Sequence, residues 1–240
     1  MDYSPIRPMH LPAHACQEFV KVCEVDWANN NKETLALLGG KNKGNRYEIT
    51  HIVLPPQIGY SNVCKCDNGK EADLIYNAYF QFIRLIPCGW IHTHPKHDQF
   101  LSSIDMHSQV NRQTINSSAI AIVFAPESEP LIQYYNIPAR GIEGLTKCNG
   151  GNEFCKDHPN NWYQIARHVI IDYDSKITVT DLRLIQNLKE MNEEIEKRRN
   201  KPNNNNNNNN NDNNNANNNE DVIFEVFGKS QNELNDYQSV

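Results

Sequence analysis

Long apolar runs and a leader segment are both missing from this sequence of 240 residues. No window approaches the 18 or more apolar residues that a membrane-spanning helix needs. The N-terminal stretch "MDYSPIRPMHLPAHACQEF" has no basic segment followed by an apolar one, so we expect no secretory signal peptide. We therefore expect a cytoplasmic protein without a transmembrane segment.

Dense blocks of lysine and arginine are also absent, and the formal net charge is -6. Nucleic-acid-binding domains carry a clustered basic surface, so we expect no nucleic-acid partner. The cysteines number 7, an odd count at irregular spacings, which does not indicate a disulfide framework. Reduced thiols or metal ligands fit this pattern better.

Apolar residues are scarce after Lys201, where the sequence reads "KPNNNNNNNNNDNNNANNNE". Such a composition cannot bury a core, so the folding information lies in roughly the first 200 residues. We predict a folded domain at 1–183, a charged helix at 184–200, a disordered asparagine-rich tract at 201–220 and a tail at 221–240. The charged helix is expected to rest on the domain through an apolar stripe of Leu184, Leu188, Met191 and Ile195.

Helical and strand patterns are mixed within the predicted domain. A helix with Ala15, Phe19 and Val22 on one face precedes two strand patterns, "ETLALLGG" and "RYEITHIVLP", which form a hairpin. A second helix leads into the buried strand "LIPCGWIHT", and three further strand patterns follow. The fold class is therefore α/β or α+β, with a mixed, mostly antiparallel sheet flanked by helices.

The segment "GWIHTHPKHDQFLSSIDMH" concentrates histidines, serines and an aspartate between two apolar stretches. Side chains two residues apart on a strand share a face, so His92 and His94 project together at the end of the strand. Pro95 ends that strand, and Asp105, in the first turn of the following helix, can return as a third ligand. Two histidines and one carboxylate, with a fourth position open, are the ligand set of a catalytic zinc site.

A second cluster is indicated further along the chain. His107 is two residues beyond Asp105, a rotation of about 200° on a helix, so the two side chains cannot easily serve one ion. The stretch "KCNGGNEFCKDH" offers Cys148, Cys155, Asp157 and His158 as further candidates. With His107 they would complete a closed tetrahedral structural zinc.

These motifs resemble the JAMM (MPN+) zinc metalloprotease signature in its AMSH-type form, the ubiquitin isopeptidases associated with endosomal sorting. The general pattern is an upstream glutamate, then HxHP, then a serine and, three residues later, an aspartate. Matching elements extend from about Met9 to Arg183 and include "ETLALLGG", "FLSSIDMH" and "ITVTDLR". The resemblance implies that residues 1–183 are an MPN catalytic domain and that the chain is a zinc-dependent deubiquitinase.

The resemblance also implies roles for single residues around the first cluster. His92, His94 and Asp105 match the ligands of the catalytic zinc, and Glu33 matches the general base. Ser102 matches the family serine that supports the oxyanion, although a role as helix cap fits the sequence equally well.

For the second zinc, His107 and Cys148 match two family ligands. The family then has two histidines separated by one residue, where this chain has Cys155 followed by Asp157 or His158. Zinc accepts thiolate as readily as imidazole, so Cys155 is a plausible exchange. We favour His158 as the fourth ligand and expect two zinc ions per chain.

The expected substrate is polyubiquitin, with a preference for the lysine-63 linkage that AMSH-type enzymes have. Phe154 stands where the family has a phenylalanine that contacts the proximal ubiquitin. The resemblance further implies endosomal sorting machinery as a partner and association with endosomes, although the sequence is expected to lack the family's N-terminal recruiting region. The alternative is a catalytically inactive MPN scaffold that binds ubiquitin, but such scaffolds typically lose zinc ligands.

Overall fold

The computed structural model describes residues 5–66, 70–148, 155 and 158–199, which form a mixed sheet with helices on both faces. The strands are β1 (Met9–Pro12), β2 (Leu35–Asn42), β3 (Tyr47–Leu54), β4 (Gln57–Gly59), β5 (Cys64–Cys66), β6 (Ile86–Thr93), β7 (Ile120–Phe124), β8 (Ile132–Asn136), β9 (Gln164–Ile165), β10 (Val169–Asp172) and β11 (Thr178–Asp181). The α-helices are α1 (Ala15–Val22), α2 (Lys70–Phe82), α3 (Ser103–Ile115), α4 (Ala139–Thr146) and α5 (Leu188–Arg199). The structure also has a short π-helix (Val25–Asn29) and a 3-10 turn (Asn160–Trp162).

The large sheet has nine strands in the order β10-β1-β3-β2-β6-β7-β8-β9, with β11 also paired to β3. Strand β2 is antiparallel to both β3 and β6, whereas β6 and β7 run parallel. Strands β4 and β5 form a separate antiparallel hairpin. The predicted class, a mixed and mostly antiparallel sheet flanked by helices, is confirmed.

Alternation along the central strands sends their side chains into two apolar layers, because successive strand residues point to opposite faces. On one face Leu37 and Trp90 belong to a core that includes residues of α2, α3, α4 and α5. On the other face Leu38 and Ile91 belong to a core that includes residues of α1. The sheet is therefore covered on both sides, which explains why its central strands read as nearly continuous apolar runs.

Two of the predicted apolar helix faces include residues that are exposed in the structure. Val22, expected on the buried face of α1, is 38% exposed at the end of that helix. Helix α5 begins after Leu184, which is 92% exposed, and its first residue, Leu188, is half-buried and packs against the core. Met191 and Ile195 are buried there, so the helix does rest on the domain as expected.

Gly89 permits the close approach of β6 and β7 next to the histidine segment. Its φ of 135° is a conformation that side chains rarely adopt, and a Cβ there would lie 2.0 Å from the Ile120 carbonyl oxygen. Cys88 beside it is fully buried.

The asparagine-rich tract and the tail, predicted at 201–240, lie outside the described residues. Among the helices that the structure describes, none has the length and apolar character needed to cross a bilayer.

Candidate metal centres

Three of the predicted ligands converge at the end of β6. The Nε2 atoms of His92 and His94 are 3.0 Å apart, and Asp105 Oδ2 lies 3.8 Å from His92 Nε2. The three ligand atoms lie within 4.8 Å of one another. Ligands of a tetrahedral zinc ion are separated by roughly 3.3–3.6 Å at ordinary bond lengths. The residues present therefore fit a zinc ion with three protein ligands.

Burial keeps both imidazoles in the form that binds a metal. Burial, and next the neighbouring His94, lowers the pKa of His92 well below its ordinary value, and burial also lowers the pKa of His94. The neutral imidazole is the ligand form of histidine. His94 Nδ1 lies 2.8 Å from the Asp98 carbonyl oxygen, and a hydrogen bond donated there leaves His94 Nε2 free for a metal.

Asp105 is oriented by the cap of its own helix. Ser102 Oγ accepts a hydrogen bond from Asp105 N at 3.2 Å and donates one to Asp105 Oδ2 at 2.7 Å. Ser102 N donates to the same carboxylate oxygen at 2.8 Å, which completes a capping box. The predicted helix cap is therefore confirmed. The oxyanion role of Ser102 stays a prediction, since its hydroxyl is directed at Asp105 here.

Glu33 approaches the same centre from the neighbouring strand. The antiparallel register of β2 and β6 pairs Leu35 with His92. Thr93 N donates to the Thr34 carbonyl oxygen at 3.0 Å, and Thr34 N donates to Thr93 Oγ1 at 2.9 Å, so the two chains stay side by side as far as these threonines. Glu33 and His94 are the next residues of the two chains. The Glu33 side chain is buried, and burial, reinforced by the charge of Asp105, raises its pKa to about 8.

The β4–β5 hairpin holds the backbone around Glu33. Glu33 N donates to the Tyr60 carbonyl oxygen at 2.8 Å, and a Cβ on Gly59 would lie 2.2 Å from the Glu33 carbonyl oxygen. The Gln57 amide bonds to both N and O of Leu35 at 2.8 Å. These contacts with the chain around Glu33 are not evident from the sequence. A contact to a backbone atom leaves no recognisable pattern of residue types in a single sequence.

The second predicted set also comes together. His107 comes from α3, Cys148 follows α4, and Cys155 and His158 precede the 3-10 turn. Cys148 Sγ is 3.5 Å from Cys155 Sγ and 3.2 Å from His158 Nε2, and the four ligand atoms lie within 4.8 Å of one another. The separation of the sulfurs is too long for a disulfide bond of about 2.05 Å.

The donor set of this second cluster fits a structural zinc ion. Two thiolates and two imidazoles form a closed tetrahedral site. Among the described residues, the buried His107 Nε2 has no hydrogen-bond partner, and a shared metal ion would satisfy it together with the sulfurs. Asp105 and His107 belong to different clusters, as their helical spacing predicts.

Ser103 connects the two clusters. This buried residue begins α3, next to the Ser102 cap, and its Oγ accepts a hydrogen bond from Cys155 N at 3.0 Å. The sequence analysis did not identify this contact. Phe154 and Asp157, the predicted ubiquitin contact and the alternative ligand, lie outside the described residues.

Comparison with known proteins adds family relationships to this geometry. A family model described as JAB1/Mov34/MPN/PAD-1 ubiquitin protease matches residues 4–118. The chain is 34% identical over 180 residues to the STAM-binding protein-like A of Danio rerio, covering 74% of this chain and 41% of that protein. It is 31% identical over 178 residues to the AMSH-like protease of Homo sapiens, covering 74% and 39%. Against the AMSH-like protease sst2 of Schizosaccharomyces pombe, identity is 32% over 185 residues, covering 75% and 40%. The chain thus spans about two fifths of the length of these relatives.

Proposed function

The chain belongs to the AMSH type of the JAB1/Mov34/MPN/PAD-1 ubiquitin protease family, and on this premise we propose that it is a zinc-dependent deubiquitinase. The reaction is hydrolysis of the isopeptide bond between a ubiquitin carboxyl terminus and a lysine of the next ubiquitin. The observation that carries the proposal is the convergence of His92, His94 and Asp105 beside the buried Glu33. A catalytically inactive scaffold would not need a complete set of zinc ligands and a general base.

The first cluster determines where the reaction takes place. His92, His94 and Asp105 would hold a zinc ion, which would supply Lewis acidity towards the isopeptide carbonyl and towards water. The protein prepares this position with two neutral imidazoles and a carboxylate that the Ser102 cap holds in place.

Glu33 carries the proton in the proposed reaction. The positive charge of a zinc ion at the first cluster would lower the raised pKa of Glu33 and favour its carboxylate form. The carboxylate then takes a proton from the attacking water and delivers it to the nitrogen of the departing lysine. The carbon–oxygen bond forms first, and the carbon–nitrogen bond then breaks as the proton that Glu33 transfers reaches the amine. No covalent link to the protein is needed.

The second cluster is proposed to hold a structural zinc through His107, Cys148, Cys155 and His158. Its ligands come from α3 and from the chain after α4, segments far apart in sequence. A structural zinc contributes folding free energy to the loop that it closes. Metal binding would therefore join the chain after α4 to α3.

Linkage preference is proposed to depend on that same loop. Selectivity is a difference between two affinities, so a few side chains around the scissile bond can produce it. We propose preference for lysine-63-linked chains, with Phe154 as the contact to the proximal ubiquitin. Removing an aromatic anchor typically costs about 2 kcal/mol, or thirtyfold. Phe154→Ala should slow cleavage of this linkage and leave the zinc content unchanged.

Polyubiquitin is the proposed partner, and endosomes are a proposed location in addition to the cytoplasm. Relatives named STAM-binding protein and AMSH-like protease support this assignment. Endosomal sorting machinery is the corresponding proposed protein partner.

The test combines metal analysis with cleavage of diubiquitins of defined linkage. The purified protein should contain close to two zinc ions per chain and should cut lysine-63-linked diubiquitin faster than other linkages. A chelator should abolish cleavage, and added zinc should restore it. Zinc at the first cluster without cleavage of any diubiquitin would favour the scaffold, and similar rates on all linkages would refute the preference alone.

A further inference from the structure

The two histidines of the first cluster are supported in different ways. A metal-binding histidine is normally oriented by a hydrogen bond on its other ring nitrogen. His94 has such a bond, with the Asp98 carbonyl oxygen 2.8 Å from Nδ1. His92 is 2% exposed, and its Nδ1 has no hydrogen-bond partner among the described residues. The orientation of the His92 ring therefore requires another source.

Trp90 supplies a stacking contact to that ring. The indole and the imidazole lie two residues apart on β6, with ring centroids 4.4 Å apart and planes inclined by 10°. His94 meets the His92 ring edge-on, with a centroid distance of 4.8 Å. The imidazole is thus in contact with one flat surface and one edge, and rotation about its side-chain bonds would lose both contacts.

The indole is itself fixed by buried amides of α3. Trp90 Nε1 donates to Gln109 Oε1 at 3.0 Å, and Gln109 Nε2 donates to Gln113 Oε1 at 3.0 Å and to the Ala119 carbonyl oxygen at 2.7 Å. Gln113 in turn pairs with both N and O of Ile137, at 2.7 and 3.0 Å. Flipping the Gln109 amide would bring two donors together, so the network has one arrangement.

We propose that Trp90 is a positioning residue for the metal centre. The indole, fixed by Gln109 and Gln113, keeps the His92 imidazole turned so that Nε2 faces Asp105 and His94. Stacking on Trp90 orients the His92 ring, as the hydrogen bond to the Asp98 carbonyl oxygen orients the His94 ring. This inference rests on the proposed function only in taking His92 as a zinc ligand.

The test compares zinc affinity at the first cluster in three variants. Trp90→Leu removes the stack, and we expect its zinc affinity to fall about tenfold or more, the usual effect of losing a residue that supports a metal ligand. Trp90→Phe keeps an aromatic surface without the N–H group, so it should recover much of that loss. Gln109→Met leaves the indole N–H without its acceptor and should give an intermediate loss.

Phe80→Leu is the matched control. Phe80 is 5% exposed and Trp90 is 4% exposed, and both belong to the same apolar core, but the ring contact described for Phe80 is with Tyr76. This variant should lose stability without losing zinc affinity. Circular dichroism would show whether each variant is folded.

Chelator competition and cobalt(II) spectra give readouts that are independent of cleavage. Cobalt at the first cluster has nitrogen and oxygen ligands, whereas cobalt at the second has thiolates, whose near-ultraviolet bands distinguish it. Trp90→Leu should change the bands of the first cluster and leave the thiolate bands unchanged. Unchanged affinity and spectrum in folded Trp90→Leu, or an equal loss in Phe80→Leu, would overturn the proposal. These measurements remain decisive even if the wild-type protein binds zinc and cleaves no diubiquitin.

Discussion

Glu33 is the residue whose replacement should separate proton transfer from metal binding. We expect Glu33→Gln to lower the rate of diubiquitin cleavage at least about a hundredfold, because a positioned acid–base group typically contributes about 10²–10⁴. The amide has the same shape as the carboxyl and is not placed as a ligand. Zinc content and melting temperature should therefore stay close to those of the wild type. Both can be measured on the same preparation as the cleavage rate.

Glu48→Gln is the matched control for this prediction. Glu48 lies on β3 and forms ion pairs with Arg46 and Lys43 near the surface, away from the first cluster. Its replacement should leave cleavage at the wild-type rate. A Glu33→Gln protein that keeps more than about a tenth of its activity would show that another group carries the proton.

His92 and Glu33 differ in how much a single sequence reveals about them. The spacing of His92 and His94 on a strand, and of Asp105 on the next helix, follows from the periodicities of regular structure. Glu33 was identified only through the family resemblance, because its position depends on the pairing of β2 with β6. Such pairing joins distant parts of the chain, and the residue type alone does not encode it.

At the scale of elements, the β4–β5 hairpin is expected to position Glu33, and a change in the hairpin should leave metal binding intact. Gly59→Ala would place a Cβ 2.2 Å from the Glu33 carbonyl oxygen, so one of the two backbones must move. We expect a tenfold or greater loss of cleavage, on the order of what small displacements of catalytic groups produce, with zinc content unchanged.

Gly44→Ala is the control for an added methyl group. A Cβ on Gly44 would meet no atom within 4 Å, although its φ of 83° makes the change strained. This variant should lose some stability and keep its specific activity. If Gly59→Ala retained full activity, the hairpin would not position Glu33.

The loop after α4 should depend on its metal ligands. We expect Cys155→Ser to lower the zinc content by about one ion per chain and to make the segment near residue 155 sensitive to protease, since structural zinc stabilises the loop that it closes. Activity should fall indirectly, because Cys155 N bonds to Ser103 at the start of α3. Cys66→Ser, on β5 and outside both clusters, should keep two ions. Unchanged zinc content in Cys155→Ser would remove it from the ligand set.

Elements were predictable where periodicity is strong and less so at their ends. The hairpin of β2 and β3, the strand β6 and the Ser102 cap follow from alternation and capping patterns. The short hairpin of β4 and β5 was not predicted, because three-residue strands carry too little alternation to be recognised. Helix α5 begins later than its apolar spacing suggested, since Leu184 has no core to enter.

At the scale of the whole molecule, α3 connects everything that the proposed function requires. Asp105 and His107 belong to different clusters, while Gln109 and Gln113 bond to β6, to the residue before β7 and to the chain after β8. The network is satisfied inside a close-packed interior, so a shift of α3 would disturb both clusters at once. The two proposed metal sites therefore belong to one structural unit, although their side chains are separate.

The stability of the core around α3 is expected to depend on helix α5. Met191 on α5 is fully buried and belongs to the core that contains residues of α2 and α3, so the helix is part of that core in the structure. Met191→Ala should lower the free energy of unfolding by about 2–5 kcal/mol, as is usual for truncating a buried side chain. Leu184→Ala, at a position that is 92% exposed, should change it by less than about 0.5 kcal/mol. Chemical denaturation of both variants with zinc present would measure the difference. Equal free energies of unfolding in the two variants would mean that Met191 does not anchor α5 to the core.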